Sequence, residues 1–444
     1  MPPSTSPPPP AASGSEPASS SGARGAQACH PAPDGPHGSI PARILFFDHT
    51  AKLGGGEIAL LHLAANLDRS RFTPIVLLGA DGDLRDRLRE AGVETHVLPL
   101  DDDILSTRKD SLGPRSALKL GTMLRLGRYA GSLARFIRAN AIEIVHANSL
   151  KSDVLGAIAG RRARVPVVWH VRDRIASDYL PSAVASVFRA LCRRLPQFVI
   201  ANSAATLQTV FPEARDEAAP GTRRRYAVVH DAVGPSYAAR AARCDERPAR
   251  SGAPRVGLVG RITPWKGQHV FIRAAKRVLE QEPGAEFLIA GSAMFGEDAY
   301  EAELRALVEQ LGIGASVRFL GFRSDVEEII ASLDVLVHAS TVPEPFGQVV
   351  VEGMACGTPV VATRGGGVVE IIEDGVTGVL VEMGSDEEMA AAILGLLRDR
   401  QRAAAISAAA RRAALERFTI DAPVRKVQAI YGELLASRAR ARSR

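Results

Sequence analysis

Cysteine is scarce: Cys29, Cys192, Cys244 and Cys356 are the only four in 444 residues. No Cys-x-x-Cys pair and no His/Cys cluster at metal-ligand spacing occurs, so no protein-held metal is expected. Scattered single thiols fit a reducing compartment, the cytoplasm by default. Aromatic residues are only 5%, and few stand among basic residues where bases would stack, which argues against a nucleic-acid partner. No apolar run reaches the roughly 18 residues that a transmembrane helix needs. A basic start followed by an apolar stretch is also missing, so no signal peptide is expected.

What is present is the composition of a soluble globular chain, 46% hydrophobic and 23% charged. At roughly 150 residues per domain the length allows two to three domains. The formal net charge of +6 favours anionic partners such as phosphates or an acidic membrane surface. Proline is concentrated before Ala42, in MPPSTSPPPP and the Ser/Ala/Gly/Pro run after it. That segment has too little apolar content to offset its ordering entropy, so residues 1–42 are expected to be a disordered tail.

From residue 43 the pattern becomes strand, Gly-rich loop, helix. Arg43 to Phe47 is a short apolar run, and Gly54-Gly55-Gly56 opens a helical stretch from Glu57 to Leu67. Strand-length apolar runs recur at Thr73 to Leu78, Glu94 to Pro99, Ala141 to His146, Val165 to His170 and Phe198 to Ala201. Alternation of such runs with helical periodicity predicts a parallel sheet covered on both faces. Residues 238–254 are polar and break the alternation, as an interdomain linker does. A second alternation then runs from Val256 to Val381, followed by mostly helix from Asp386 to Phe418 and an amphipathic piece, Ala422 to Leu435. The expected architecture is α/β, with two Rossmann-like, doubly wound domains facing across a cleft. The first spans 43–237 and the second 255–420, with 421–444 a terminal helix and basic tail free to cross back to the first domain.

Ligands of such sheets bind beyond the carboxyl ends of the strands. Gly54, Gly55 and Gly56 let a ligand approach the backbone at a helix N-terminus. They also satisfy a loose dinucleotide pattern with Ala59, although the second strand ends in Gly79 without a ribose-binding acid. Arg261 and Lys266, in the loop Gly260 to Gly267, place two fixed cations at a strand end, suited to a diphosphate; in isolation they also read as surface charges. Glu344 lies in a loop, and the helix behind it carries Glu352. One suits sugar hydroxyls and the other ribose hydroxyls, while the N–H groups of Phe346, Gly347 and Gln348 face a phosphate. Alone, the two glutamates read equally as a helix-dipole acid and a surface residue. His170 in Trp169-His170-Val171-Arg172-Asp173 is a ligand donor or a satisfied core-edge side chain. Ser149 and Ser203 read most simply as N-caps.

Taken in order, these pieces resemble the retaining family 4 glycosyltransferases, the group 1 enzymes of GT-B fold. The match runs through Gly260-Arg261, Lys266-Gly267, Leu288 to Gly291, Phe319-Leu320-Gly321, Glu344-Pro345-Phe346-Gly347 with Glu352, Ala355 to Val361, Gly365-Gly366 with Glu370, and Asp374 to Gly378. The first domain matches more loosely, through Gly54 to Gly56 and His170. The resemblance implies sugar transfer from a nucleotide-activated donor, with retention and with neither metal nor cofactor. It implies that Arg261 and Lys266 hold the donor diphosphate and that Gly55 and Gly56 approach it from the first domain. Glu344 then touches the donor sugar, Glu352 the ribose and His170 the sugar's distal hydroxyl, while Gly321-Phe322-Arg323 forms the base-binding loop. The acceptor it implies is a glycan, a lipid-linked molecule or a small molecule.

Gly353 stands where the family has Ala, a change expected to loosen its helix, and Asp231 replaces an Asn. The stretch holding Arg108, Lys109, Arg115, Lys119, Arg125, Arg128, Arg135 and Arg138 among leucines has two readings. One is a basic surface resting on anionic lipid at the inner membrane face; the other is an ordinary helix packing its leucines on the sheet. Competing functions are a nucleotide-sugar epimerase of the same architecture, an NAD-dependent oxidoreductase built on the Gly54 loop, and a non-catalytic nucleotide-sugar binder.

Overall fold

Short runs of Val, Ile, Leu and Phe form the strands, and their neighbours cover them on both faces. In the computed structural model, residues 40–101, 120–214, 225–243, 252–294 and 296–443 are described. The first sheet contains β1 (Ala42–Asp48), β2 (Phe72–Leu78), β3 (Glu94–Val97), β4 (Ile144–Ala147), β5 (Val167–Val171), β6 (Phe198–Ala201) and β7 (Tyr226–Val228). The second contains β8 (Arg255–Val259), β9 (Glu286–Ala290), β10 (Val317–Gly321), β11 (Val335–His338), β12 (Val360–Thr363) and β13 (Val379–Val381). Their orders are β3-β2-β1-β4-β5-β6-β7 and β10-β9-β8-β11-β12-β13. Every neighbouring pair is parallel, with Ile44 beside Ile144 at one centre and Gly257 beside Leu336 at the other. The strand order reverses between β1 and β4 and between β8 and β11, so the loops after these strands open the two ligand crevices of a doubly wound fold.

Alternation along β1 shows the layering. Leu45 and Phe47 point into one core with Leu133 and Ile137 of the helix Leu120–Ala139 and Leu155 of the helix Leu150–Ala163. Ile44 and Phe46 point into the opposite core with Leu60 and Leu63 of the helix Gly55–Ala65. Each such fully buried side chain contributes roughly 1.5–3 kcal/mol of transfer free energy. The second sheet repeats the plan. Phe287 and Ile289 pack with Phe271 and Ile393, and on the other side Leu288 and Leu336 pack with Val350 and Met354 of the helix Gln348–Ala355.

The terminal helix Asp421–Arg442 returns to the first sheet, where Val424, Val427, Ile430 and Tyr431 complete its core. Polar contacts fix its register: the Asp68 N–H donates to Gln428 Oε1 at 2.7 Å, and Arg438 donates to the Glu143 carbonyl at 3.0 Å.

Two features depart from the sequence expectations, and one expected helical region is divided. The stretch read as linker begins with a helix, Pro235–Arg243, whose Ala241 packs in the second sheet's core and whose Arg240 pairs with Glu327 at 2.7 Å. Its alanine spacing hid a buried face among arginines. Strand β7 is three residues long, too short for periodicity to reveal. The helical region after residue 386 breaks at Asp399, whose carboxylate caps the next helix at the Arg402 N–H. In the basic stretch, Leu133 and Ile137 are buried while Arg128, Arg135 and Arg138 face solvent, the ordinary packing of an amphipathic helix. Arg108, Lys109, Arg115 and Lys119 lie outside the described residues, as do Cys29, Cys244, the tail before residue 40 and residues 244–251 of the linker.

Gly353 is a packing residue, and the expected loosening is not what the structure shows. A Cβ there would stand 2.4 Å from Leu336 Cδ2 and 2.9 Å from Val360 Cγ2, both side chains fully buried in the sheet. The helix can lie this close because it lacks the methyl group. Gly353→Ala is therefore expected to destabilise the protein by about 1–3 kcal/mol through overpacking, despite its better helix propensity. A lowered midpoint in urea unfolding checks this; an unchanged or higher midpoint contradicts it.

Candidate functional site

The loops beyond β8, β11 and β12 cross so closely that glycine is obligatory at the crossings. Gly267 has φ +71°, and a Cβ there would fall 1.9 Å from the Ala339 carbonyl oxygen. Gly366 has φ +62°, and its Cβ would fall 1.9 Å from the Glu344 carbonyl oxygen. No side chain fits against a backbone carbonyl at that distance, and positive φ is itself unfavourable for one. Two hydrogen bonds stitch the crossing, from Thr341 N–H to the Trp265 carbonyl (2.9 Å) and from Gly367 N–H to the Glu344 carbonyl (2.9 Å).

Lys266 and Glu344 meet in this crossing. Lys266 Nζ donates to Glu344 Oε1 at 2.5 Å, and the Ser340 hydroxyl donates to the same oxygen. His338 Nε2, at the end of β11, stands 3.0 Å from it, out of line for a hydrogen bond. Burial works against the Glu344 charge, but the Lys266 ammonium and then His338 outweigh it and hold the carboxyl well below the usual glutamate range. All these partners converge on Oε1; Oε2 has no partner among the described residues. Arg261 and Lys266 flank the Trp265 ring, 5.8 and 4.7 Å from its centroid, so both cations sit at the end of β8.

Behind Glu344 the helix Gln348–Ala355 begins at Gly347, with φ +115°. The N–H groups of Gly347, Gln348 and Val349 have no acceptor among the described residues, leaving a positive helix end beside the Lys266–Glu344 pair. Phe346 contributes backbone only: its ring is buried against His230 and Phe418. Gln348 donates to the Ala232 carbonyl at 3.1 Å and to Glu352 Oε1 at 3.3 Å. Burial pushes the Glu352 carboxyl up to about 7, against the opposing pull of Gln348 and Lys266. Arg323 folds onto its neighbour Asp325, two bonds of 2.7 and 2.5 Å, while Phe322 beside it is 67% exposed at the tip of β10.

The strand ends of the first sheet carry a polar chain that the sequence did not announce. Asn148 donates to the buried Asp48 at 2.7 Å and accepts from Arg172; Arg172 donates to Asp231 at 2.9 Å, and Asn202 donates to Asp231 at 3.1 Å. Asp231, the residue that departs from the family's Asn, thus gives Arg172 an ion pair. Ser149 is drawn into this chain as well, its hydroxyl 2.7 Å from His49 Nδ1. A Cβ on Gly55 would meet nothing within 4 Å, and one on Gly56 would come no closer than 3.7 Å to Arg172, so protein neighbours do not demand glycine at either position. Glu57, just behind them, is pushed up to about 8 by burial and by Asp48.

His170 is 2% exposed. Its Nδ1 bonds His146 Nε2 at 3.1 Å, and its Nε2 is buried without a partner among the described residues. No hydrogen bond or ion pair joins Gly55, Gly56 or His170 to Lys266 or Glu344 among the described residues. The two sheets are joined elsewhere, beside the crossing. Ser203 and Thr206 donate to the Pro345 carbonyl at 2.5 and 3.1 Å. Glu370 accepts the N–H groups of Ala204 and Ala205 at 2.9 and 2.8 Å and lies 3.0 Å from His230 Nε2. Ser203 is an N-cap, accepting from Thr206 N–H, and also a tie between the sheets. The pattern Ser-x-x-Thr after a strand was the available signal for the cap; nothing local could reveal the tie.

Residues 54–232 match the glycosyl transferase 4-like domain, and residues 244–413 match the glycosyl transferases group 1. The D-inositol 3-phosphate glycosyltransferase of Mycobacterium marinum is 37% identical over 192 residues, 42% of this chain and 40% of its own length. The lipopolysaccharide core biosynthesis glycosyltransferase LpsE of Rhizobium meliloti is 33% identical over 186 residues, 42% of this chain and 51% of its own. The matches thus span about half or less of these curated relatives. Among solved structures, Anabaena HepE in complex with UDP and glucose superimposes with TM-score 0.71 at 31% identity, over 88% of this chain and 99% of that one. Sucrose-phosphate synthase of Thermosynechococcus elongatus, 19% identical with TM-score 0.70, shares the fold.

The raised Glu352 carboxyl carries a stability sign. An acid whose pKa is higher folded than unfolded burdens the fold once pH exceeds its unfolded value near 4.5, and the burden is complete above about 7. Glu352→Gln is expected to raise Tm at pH 8 and to change it little at pH 4. Thermal unfolding at both values checks this, and an equal shift at the two contradicts it.

Proposed function

We propose that this chain, which belongs to the group 1 glycosyltransferases of family 4, moves a sugar from a nucleoside diphosphate donor to a hydroxyl acceptor with retention at the anomeric carbon. The observation that carries the proposal is the Lys266–Glu344 pair beside the open helix end at Gly347, at the point where the second sheet reverses its strand order. Lys266 and Arg261 supply positive charge to the diphosphate, and the N–H groups of Gly347 and Gln348 supply donors. Glu344 has one oxygen engaged and Oε2 left to accept from sugar hydroxyls. Glu352 takes the ribose, and the exposed ring of Phe322 offers the base a face, with Arg323 beside it. Gly55 and Gly56 leave room for a ligand to approach from the first sheet, and the unpartnered Nε2 of His170 takes the sugar's distal hydroxyl.

As the bond between C1 and the diphosphate oxygen breaks, its electron pair goes to that oxygen, where the two cations and the helix end stabilise it. The acceptor oxygen bonds C1 on the same face, and its proton passes to the departing phosphate. This assignment needs neither metal nor cofactor, since fixed cations meet the developing charge. The donor is a UDP-sugar, a reading supported by the UDP-glucose complex of HepE. The acceptor is a glycan or a lipid-linked molecule. No helix among the described residues is long and apolar enough to cross a membrane, and Cys192 and Cys356, neither of them in a disulfide, suit a cytoplasmic enzyme. Contact with an anionic inner membrane face would fall to Arg128, Arg135 and Arg138 on their exposed helix face.

UDP-glucose is expected to raise Tm where GDP- and ADP-glucose do not. Arg261→Ala and Lys266→Ala should each lower kcat/KM for the donor by at least ~10-fold, about 1.4 kcal/mol of transition-state stabilisation, with EDTA having little effect. Wild-type rates in both variants contradict the diphosphate assignment. Loss of activity to EDTA with recovery by Mg2+ contradicts the metal-free one.

A further inference from the structure

Two histidines and a tyrosine form a buried line that ends at the proposed sugar contact. Tyr431 OH lies 2.7 Å from His146 Nδ1, and His146 Nε2 lies 3.1 Å from His170 Nδ1. Tyr431 and His146 are fully buried and His170 nearly so. Tyr431 comes from the terminal helix, 285 residues away in sequence from His146. The Phe46 ring lies 5.0 Å from His146, and Phe72 meets Tyr431 edge-on at 5.7 Å. Burial lowers the His146 pKa to about 3 and that of His170 well below its ordinary value, with the Arg172 charge adding to both, so each ring carries one proton.

Two proton arrangements satisfy the His146–His170 bond. In the first, Tyr431 donates to His146 Nδ1, His146 Nε2–H donates to His170 Nδ1, and the remaining proton of the line sits on His170 Nε2. In the second, His170 Nδ1–H donates to His146, His146 Nδ1–H donates to the Tyr431 oxygen, and the phenol proton has no acceptor among the described residues. The second arrangement leaves two buried groups without partners, the phenol O–H and the bare His170 Nε2. The first leaves one, the His170 Nε2–H, and a hydroxyl oxygen can satisfy it.

We propose that Tyr431 is a positioning residue that, through His146, keeps the proton of His170 on Nε2 and so presents His170 as a hydrogen-bond donor to the donor sugar. The proposal rests on the placement of His170 at that sugar. It also gives the crossing of the terminal helix a consequence for the reaction as well as for stability. Tyr431 makes no contact with substrate; it acts by choosing a tautomer.

The test is imidazole 15N–1H correlation on the full chain labelled at histidine, with His146 and His170 assigned from His146→Gln and His170→Gln spectra. Tyr431→Phe keeps the ring packed on Phe72 and removes only the donor. In the wild type, His170 is expected to be protonated at Nε2 and bare at Nδ1; in Tyr431→Phe an Nδ1-protonated population appears. In the same variant kcat with UDP-glucose should fall about 2–5-fold while UDP affinity is kept. His170 protonated at Nδ1 in the wild type, or an unchanged tautomer in Tyr431→Phe, overturns the relay. A tautomer that moves as expected, with wild-type turnover in both Tyr431→Phe and His170→Gln, overturns instead the placement of His170 at the sugar.

Discussion

Glu344 is a carboxylate taken out of water, and the loops around it are arranged to make that tolerable. A buried charge is retained only when paired and hydrogen-bonded, and here Lys266, Ser340 and His338 come from two strand ends to one oxygen. The carbonyls of Ala339 and Glu344 press against Gly267 and Gly366 so closely that no side chain could stand there. Glycine spacing, loop crossing and ion pair are therefore one constraint. It aligns the helix end at Gly347 with Lys266 and leaves the other oxygen of Glu344 for a ligand. Lys266 neutralises this carboxylate, and in the proposed function it has a second duty, to meet an incoming anion. Removing one partner of a buried pair is generally more disruptive than replacing both, so Lys266→Ala disturbs the Glu344 loop as well as the proposed anion contact.

The same loop also joins the sheets. Pro345, next to Glu344, accepts from Ser203 and Thr206 of the first sheet, and Glu370 accepts the N–H groups at the start of the helix Ala204–Val210. Burial opposes the Glu370 charge, but His230 and the two N–H groups outweigh it and lower its pKa. Glu344 and the Pro345 carbonyl that ties the sheets are thus consecutive residues, and Glu370 adds to the tie from beyond β12. The terminal helix adds a second link between chain ends and site, since Tyr431 reaches His146 under the first sheet.

Much of this was legible from residue order. Strands written in Val, Ile and Phe, broken by Gly-rich loops, announce a doubly wound fold. Arg261, Lys266 and Glu344 in strand-end loops, with Glu352 on the helix behind them, stand out as an ordered set and not one by one. What escaped were pairings between distant segments. Glu370 is one acid among many until the N–H groups of Ala204 and Ala205 face it. Asp48, Asn148, Arg172 and Asp231 become a network only when β1, β4, β5 and the segment after β7 align their ends. Gly353 looked like a flaw in a helix until Leu336 and Val360 were seen to occupy the space of its missing methyl group. Pro235–Arg243 was hidden because alanine and arginine at helical spacing look polar in composition and amphipathic only in three dimensions.

The most direct test of the central claim is a crystal structure with UDP bound. The account predicts the diphosphate within hydrogen-bond reach of Lys266 Nζ and of the Gly347 and Gln348 N–H groups, with Glu344 still held by Ser340. A diphosphate seated on Gly54 to Gly56 alone, with Lys266 engaged only with Glu344, would contradict it.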